Sequence, residues 1–478
     1  MLFEQESEGR AAPEGQRPML RSPRRIDAEH FNLALILNLI RTGNATTRQE
    51  VEKHSGLGRA IVTDRLQALT SLGLIQEGNL GPSTGGRAPR YLQFCNNAGT
   101  ILLAVIGQST IGVGSADLSG NLLIEHHESV DDSLGASAIL KRIFTLFDWV
   151  LEQHGGEHNV WGIGVAVAAP VESSPGQPFT SPTLHFMPGW DEYHFVEHLA
   201  ARYGAPVWVH SSVQMMTLGE QRVGTGGDIQ NMIFVDLGRE IAAGIVSGGR
   251  LQTGSHGCAG MIGHMIISDD NSAICRCGNI GCLETIAGAD AISREALRAA
   301  REGRSLLLAE TLASTGELTS TDVGSAAQLG DTFSAELMTR CGRSVGAALA
   351  ALTNALNPSM IIVGGALAQT SDILLAAIRE AVYRKSHPLI TRDLRVVRSQ
   401  LGSSSALSGA AMIVVEELLS TAALSFWVAH GSPIRHPQVA RLLAKARETT
   451  AFRETKPRPP ETAHQTDHLS HETAIEKE

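Results

Sequence analysis

Residues 264–284 read HMIISDDNSAICRCGNIGCLE and hold one histidine and three cysteines: His264, Cys275, Cys277 and Cys282. Three thiols within eight residues, with a histidine upstream, form a Cys₃His set of the kind tetrahedral zinc takes. Cys275-Arg276-Cys277 puts two thiols on one tight turn. Gly278 and Gly281 let the chain fold back so that Cys282 can converge on them. The set leaves no obvious open position, so the zinc it predicts is structural rather than hydrolytic. The competing use of the same residues is as reduced core thiols. Six cysteines in 478 residues do not make a disulfide framework. The isolated Cys95, Cys258 and Cys341 read as plain core or surface residues.

The length corresponds to about three domains. The chain is 43% hydrophobic and 18% charged, which excludes a mostly disordered protein. No apolar run reaches the roughly 18 residues a membrane helix needs. The first residues lack the pattern of a signal peptide. The expectation is a cytoplasmic protein with no membrane partner. The net charge of −10 argues at first against nucleic acid. It is unevenly distributed, however. Residues 1–95 hold twelve basic and ten acidic side chains, a net of +2, so the rest carries −12. From Arg17 to Arg90 there are eleven bases against six acids. A small basic module precedes a larger acidic body.

The module begins with the apolar run HFNLALILNLIR, a well-buried helix stopped at Thr42-Gly43-Asn44. Thr47 with Glu50 makes a capping box for a short second helix that offers Val51 inward. Ser55-Gly56-Leu57 turns the chain. A third helix from about Arg59 to Leu72 places Ile61, Val62, Leu66 and Leu69 inside and leaves Arg59, Thr63, Arg65 and Gln67 outside. Gly58 stands where a capping side chain is expected at its start. Ile75 opens a strand, Tyr91–Phe94 can return it, and the Gly-rich loop between them ends in Arg87 and Arg90. Helix, Gly-turn, helix and basic hairpin in that order predict a winged helix-turn-helix, whose third helix enters a major groove and whose wing reaches a minor groove. The candidate DNA contacts are Arg48, Arg59, Thr63, Arg65, Arg87 and Arg90. The alternative is a small helical docking domain for another protein.

From Gly99 onward, short apolar strands alternate with amphipathic helices, which predicts mixed α/β layers. Two rounds of this unit suggest two lobes with a ligand cleft between them. The expected boundaries are a disordered segment 1–26, the winged helix 27–95, a first lobe 96–210, and a second lobe 211–420. The second lobe carries the zinc site, and its last helix returns to the first lobe. Residues 421–478 form an extension expected to be largely disordered, with a helix or two before Phe452.

These residues resemble the ROK proteins (repressors, open reading frames, kinases), in their winged-helix repressor branch. The carriers are the N-terminal helix-turn-helix with GGRAPRYL, Gly260–His264 (GMIGH), CRCGNIGCLE and NPSMIIVGGAL, over about Asp27 to Glu417. The resemblance implies an actin-like, sugar-kinase-like two-lobed body, structural zinc at His264, Cys275, Cys277 and Cys282, and homodimers or homotetramers. It also implies binding to a double-stranded DNA operator, tuned by a sugar or phosphosugar effector. Several kinase positions depart from the family pattern. The first phosphate loop reads Val105-Ile106-Gly107-Gln108-Ser109, without its aspartate. The second reads Gly238-Arg239-Glu240, with a carboxylate where amides should cradle phosphate. The Asn-Asp pair that supplies the general base falls at Ser211-Ser212, and serine cannot act as that base unaided. The glutamate expected three residues before His264 is Met261. Of the sugar contacts that the family implies, His264 and Glu284 remain. The effector-site candidates are therefore Ser211, Ser212, His264 and Glu284.

The reading is a sequence-specific transcriptional regulator, a repressor of carbohydrate-related genes, and not an enzyme. The replacements at Val105, Ser212, Arg239 and Glu240 carry the last point. The alternatives are a sugar kinase with an appended DNA-binding domain, and a DNA-bound scaffold regulated by a protein partner.

Overall fold

A computed structural model describes residues 28–80, 90–131, 134–155, 159–172, 183–184, 194–227, 229–268 and 274–455. The chain divides into two units: Met1–Cys95 with Leu418–Pro433, and Asn96–Glu417 with Ile434–Glu478.

In the first unit three helices, α1 (Ala28–Arg41), α2 (Arg48–Ser55) and α3 (Arg59–Ser71), precede a two-stranded antiparallel sheet of β1 (Ile75–Leu80) and β2 (Arg90–Phe94). This is a winged helix-turn-helix. Helix α1 is buried through Leu33, Ala34, Ile36, Leu37 and Ile40. The polar helix α2 buries only Val51, and the Thr47–Glu50 capping box sets its start. Helix α3 begins at Gly58 with no side-chain cap and buries Val62, Leu66 and Leu69. Ile61, expected inward, is 43% exposed. It lies one position, about 100° of helix, before Val62, at the edge of the 62–66–69 stripe. Arg87 and the tip of the wing lie outside the described residues.

The extension after residue 420 carries the helices expected before Phe452, and the segment expected to be disordered, from Lys456 on, lies outside the described residues. The extension is helical over Thr421–Trp427 and Pro437–Thr455. The first of these packs on α1 within the first unit. Its Leu424 and Trp427 are buried, and the Trp427 indole N–H donates to the Leu418 carbonyl at 2.8 Å. The second packs on the helix Phe195–Tyr203, where Leu443 and Ala446 join the core.

The second unit holds two five-stranded sheets of matching design. The first has the order β5-β4-β3-β6-β9, from β3 (Thr100–Ile106), β4 (Thr110–Ala116), β5 (Leu122–Ser129), β6 (Val160–Val167) and β9 (Val207–Ser211). The small pair β7 (Val171–Glu172) and β8 (Thr183–Leu184) stands apart from it. The second sheet has the order β12-β11-β10-β13-β14, from β10 (Met232–Leu237), β11 (Ile241–Ser247), β12 (Arg250–Gln252), β13 (Met360–Gly364) and β14 (Arg395–Arg398). In each sheet an antiparallel meander continues into three parallel strands. The central strands β6 and β13 are buried along their whole length, as strands covered on both faces must be. This is the two-lobed actin-like α/β body. Each lobe has its own core: the helix Ala136–Gln153 closes the first, and Thr332–Leu356 with Asp372–Lys385 closes the second. Gly164 of β6 lets the helix Ser404–Leu419 approach, because a Cβ there would stand 3.1 Å from the Ala410 carbonyl. The last body helix therefore lies against the first sheet. Among the described residues no single helix is long and apolar enough to cross a membrane.

Candidate functional site

His264 closes a single 3₁₀ turn, Ile262–His264, and the cysteines follow on a loop that runs into the helix Leu283–Ala287. The loop is pinned by two isolated bridges, Ile266 with Cys282 and Ile274 with Ile280. Gly281, at φ +77°, is required there, because a Cβ would stand 1.8 Å from the Ser268 carbonyl. The side-chain donors of His264, Cys275, Cys277 and Cys282 all lie within 4.8 Å of one another. The sulfurs of Cys277 and Cys282 are 3.7 Å apart, and Cys275 Sγ is 3.4 Å from His264 Nδ1. Four ligands around a tetrahedral ion at ordinary metal–thiolate and metal–imidazole lengths stand about 3.8 Å (S to S) and about 3.5 Å (S to N) apart. The set therefore fits a tetrahedral cation. Burial and the neighbouring thiols push the Cys282 thiol up to about 12. A divalent cation would reverse that by supplying the counter-charge for the thiolates.

The cleft of the second unit has a cavity of about 540 Å³. Ser211 closes β9 and Ser212 opens the helix Ser212–Arg222, so both reach the cleft wall at a strand-to-helix junction. Val105, Gly238, Arg239, Glu240, Met261, His264 and Glu284 line it too. All four effector-site candidates are therefore brought to one cavity. The ion pairs show what the altered kinase loops do. Arg276, between two of the cysteines, contacts Glu240 at 2.6 Å and Glu284 at 3.2 Å. Gln108, from the β3–β4 turn, donates to Glu240. Arg239 turns away to Asp290 at 3.0 Å. Burial raises the Glu284 carboxyl above the usual carboxylate range, against the opposing pull of Arg276. The sequence reading missed Gln108, Arg276 and above all Asp236. Asp236 closes the apolar run MIFV of β10, and its carboxyl is pushed up to about 6 by burial and by Glu240. A lone acid ending an otherwise apolar strand was the available signal.

In the first unit Arg48, at the start of α2, and Arg90, in β2, both pair with Glu77 of β1 at 3.4 Å. Arg59 is exposed at the start of α3, and among the described residues no acid pairs with it. Thr63 is half-buried one turn on. Arg65 differs from the expectation of an outward contact. Its side chain is 18% exposed and pairs with Glu29 of α1 and with Asp64. It ties α3 to α1 instead of projecting free.

The model of the ROK family matches residues 105–417. The xylose repressor of Caldicellulosiruptor bescii is 24% identical over 396 residues, spanning 82% of this chain and 97% of that protein. A glucokinase of Halalkalibacterium halodurans is 28% identical over 313 residues, 65% of this chain and 94% of that protein. A solved structure described as a ROK family transcriptional regulator, homolog of the E. coli MLC protein, superposes with a TM-score of 0.68 at 26% identity. It covers 84% of this chain and 99% of that one.

Proposed function

The chain belongs to the ROK family, and on that premise we propose that it is a DNA-binding transcriptional repressor of sugar-related genes. Its body has given up sugar phosphorylation and serves assembly and effector sensing. The observation that carries the reading is the joint reach of the similarity. The repressor relative and the regulator structure cover 82% and 84% of the chain, more than the family body alone, whereas the kinase relative spans 65% of it. The ion pairs of the cleft support the loss of catalysis. Where a kinase must receive phosphate, this chain places the Glu240 carboxylate and neutralises it internally with Arg276. Ser212 offers no general base, and Val105 no aspartate.

The proposed DNA contacts are Arg48, Arg59, Thr63, Arg87 and Arg90, with Arg65 orienting α3 through Glu29. The proposed effector contacts are Ser211, Ser212, His264 and Glu284. The metal set holds zinc in a structural role, since its four protein ligands complete a tetrahedron. The protein acts as a homodimer or homotetramer on a double-stranded operator in the cytoplasm, where the chromosome is. Mapping its bound sites on genomic DNA tests this reading. Discrete sites beside sugar-utilisation genes, lost in Arg59→Ala, are expected. Absence of specific sites, or turnover of ATP across a panel of sugars, overturns it.

A further inference from the structure

The cleft contains three carboxylates, and two of them have partners. Glu240 meets Arg276 and Gln108, while Glu284 meets Arg276 and the Ile241 amide. Asp236 has none: no donor among the described residues reaches it. It is half-buried near the end of β10 and lines the cavity. The floor is cut to fit it. A Cβ at Gly365 would stand 2.6 Å from one Asp236 oxygen. Gly365 also holds φ +88°, a conformation other residues rarely adopt. Neither nearby cation is free to serve Asp236, because Arg276 is shared by Glu240 and Glu284 and Arg239 is turned to Asp290.

A half-buried carboxylate without a protein donor costs folding free energy, and a fold that keeps one has an empty acceptor for whatever enters the cavity. A divalent cation is not that ligand. Among the described residues the only grouped metal-type ligands are His264 and the three cysteines. The rest of the wall is largely apolar, with Val105, Val213, Met216 and Met261, and Ser109, Thr110, Ser212, Gln369 and Ser403 set hydroxyls and an amide into it. The cavity, about 540 Å³, has the size of a small-molecule site.

Resting on the reading that this cleft receives an effector, we propose that the effector is a small polyhydroxylated molecule bearing a protonated amine, an amino sugar or amino polyol. Asp236 receives its ammonium. The same floor disfavours phosphorylated sugars and nucleotides, since the unpartnered Asp236 meets an incoming phosphate with like charge.

The test is calorimetric titration of the full-length, metal-loaded protein at neutral pH. The probes are glucosamine, galactosamine and mannosamine, each against its parent hexose, its N-acetyl form and its 6-phosphate. Wild type and Asp236→Asn are compared, with operator affinity measured in the same samples. At least one amino sugar binds about tenfold or more tighter than its neutral and phosphorylated counterparts, the strength of one charge-assisted hydrogen bond. Asp236→Asn levels that preference. Three results overturn the proposal: equal or tighter binding of a neutral or phosphorylated sugar, an amine preference that survives Asp236→Asn, or no binding by any amino sugar. If a neutral or phosphorylated sugar binds and shifts operator affinity, the sensing role stands and only the amine assignment falls. If no probe binds or moves operator affinity, sensing by this cleft falls as well.

Discussion

Replacing Asp236 by asparagine should stabilise the protein, by an amount that depends on pH in a defined way. The ordinary aspartate value is 3.8, and in the fold the Asp236 carboxyl is pushed up to about 6, first by burial and then by Glu240. The protonated form is therefore the one the fold prefers. Below pH 3.8 the group is protonated in both states and costs nothing. Between 3.8 and 6 the unfolded chain releases its proton more readily, and stability falls. Above 6 the penalty is complete. Two units at about 1.4 kcal/mol each give about 3 kcal/mol. At pH 5 about half of that is expected. Asparagine keeps the shape and cannot ionise, so the variant recovers the penalty, less what burying its own amide costs. For a unit this large the gain corresponds to about 5 °C in melting temperature. Thermal unfolding of both proteins in parallel at pH 5, 6.5 and 8 measures it. The variant should melt higher at pH 8, and the difference should shrink steadily toward pH 5. A variant that melts lower than wild type at pH 8, or a gain independent of pH, would refute the account of Asp236 as a half-buried carboxylate without a partner.

Other substitutions separate the remaining sites. Arg59→Ala should weaken specific operator binding by about 1–3 kcal/mol with an unchanged melting curve, read by fluorescence anisotropy on a mapped site. Arg65→Ala should lower both affinity and the stability of the first unit, and Glu29→Ala should reproduce its effect, because the pair joins α3 to α1; Glu29→Ala binding as wild type would return Arg65 to a direct DNA contact. Cys282→Ser should bring bound zinc to well under one per chain by elemental analysis, and should raise local hydrogen exchange around residues 262–287. Trp427→Ala should cost the first unit about 3–5 kcal/mol and weaken operator binding through loss of the support under α1.

What the sequence disclosed depended on whether a signal was local. The capping box at Thr47 and Glu50, the uncapped start of α3 at Gly58 and the convergence of three cysteines across Gly281 all rest on neighbours within a few residues. Each could be read before any fold was known. The strand and helix alternation of the body was legible for the same reason. The misplacement of Ile61 marks the limit of periodicity, which locates a stripe better than its edges. Arg65 shows a different limit. Its partner Glu29 lies 36 positions away, and no local pattern distinguishes an arginine that stitches two helices from one that faces DNA. The support of α1 by residues 421–427 is equally non-local, since nothing in an apolar heptapeptide says which distant helix it covers.

The cleft joins these two kinds of information. Its replaced loops were visible one by one as substitutions, but their meaning lies in pairs separated by tens of residues. Glu240 as a single change reads as repulsion of phosphate. With Arg276 beside it, the change reads as a built-in anion held by a built-in cation. Arg276 comes from the turn that carries Cys275 and Cys277, so the metal set fixes the position of the cation that neutralises the cleft. Disorder of that turn would release Glu240 and Glu284 together, and the cavity would then hold three carboxylates without a partnering arginine. On the proposed reading, the metal set governs the charge of the cleft as well as the local fold. Cys282→Ser and Asp236→Asn should therefore act in opposite directions on amine binding: the first, with loss of zinc, adds uncompensated negative charge to the cavity and strengthens attraction for a cation, and the second removes the acceptor and abolishes the preference.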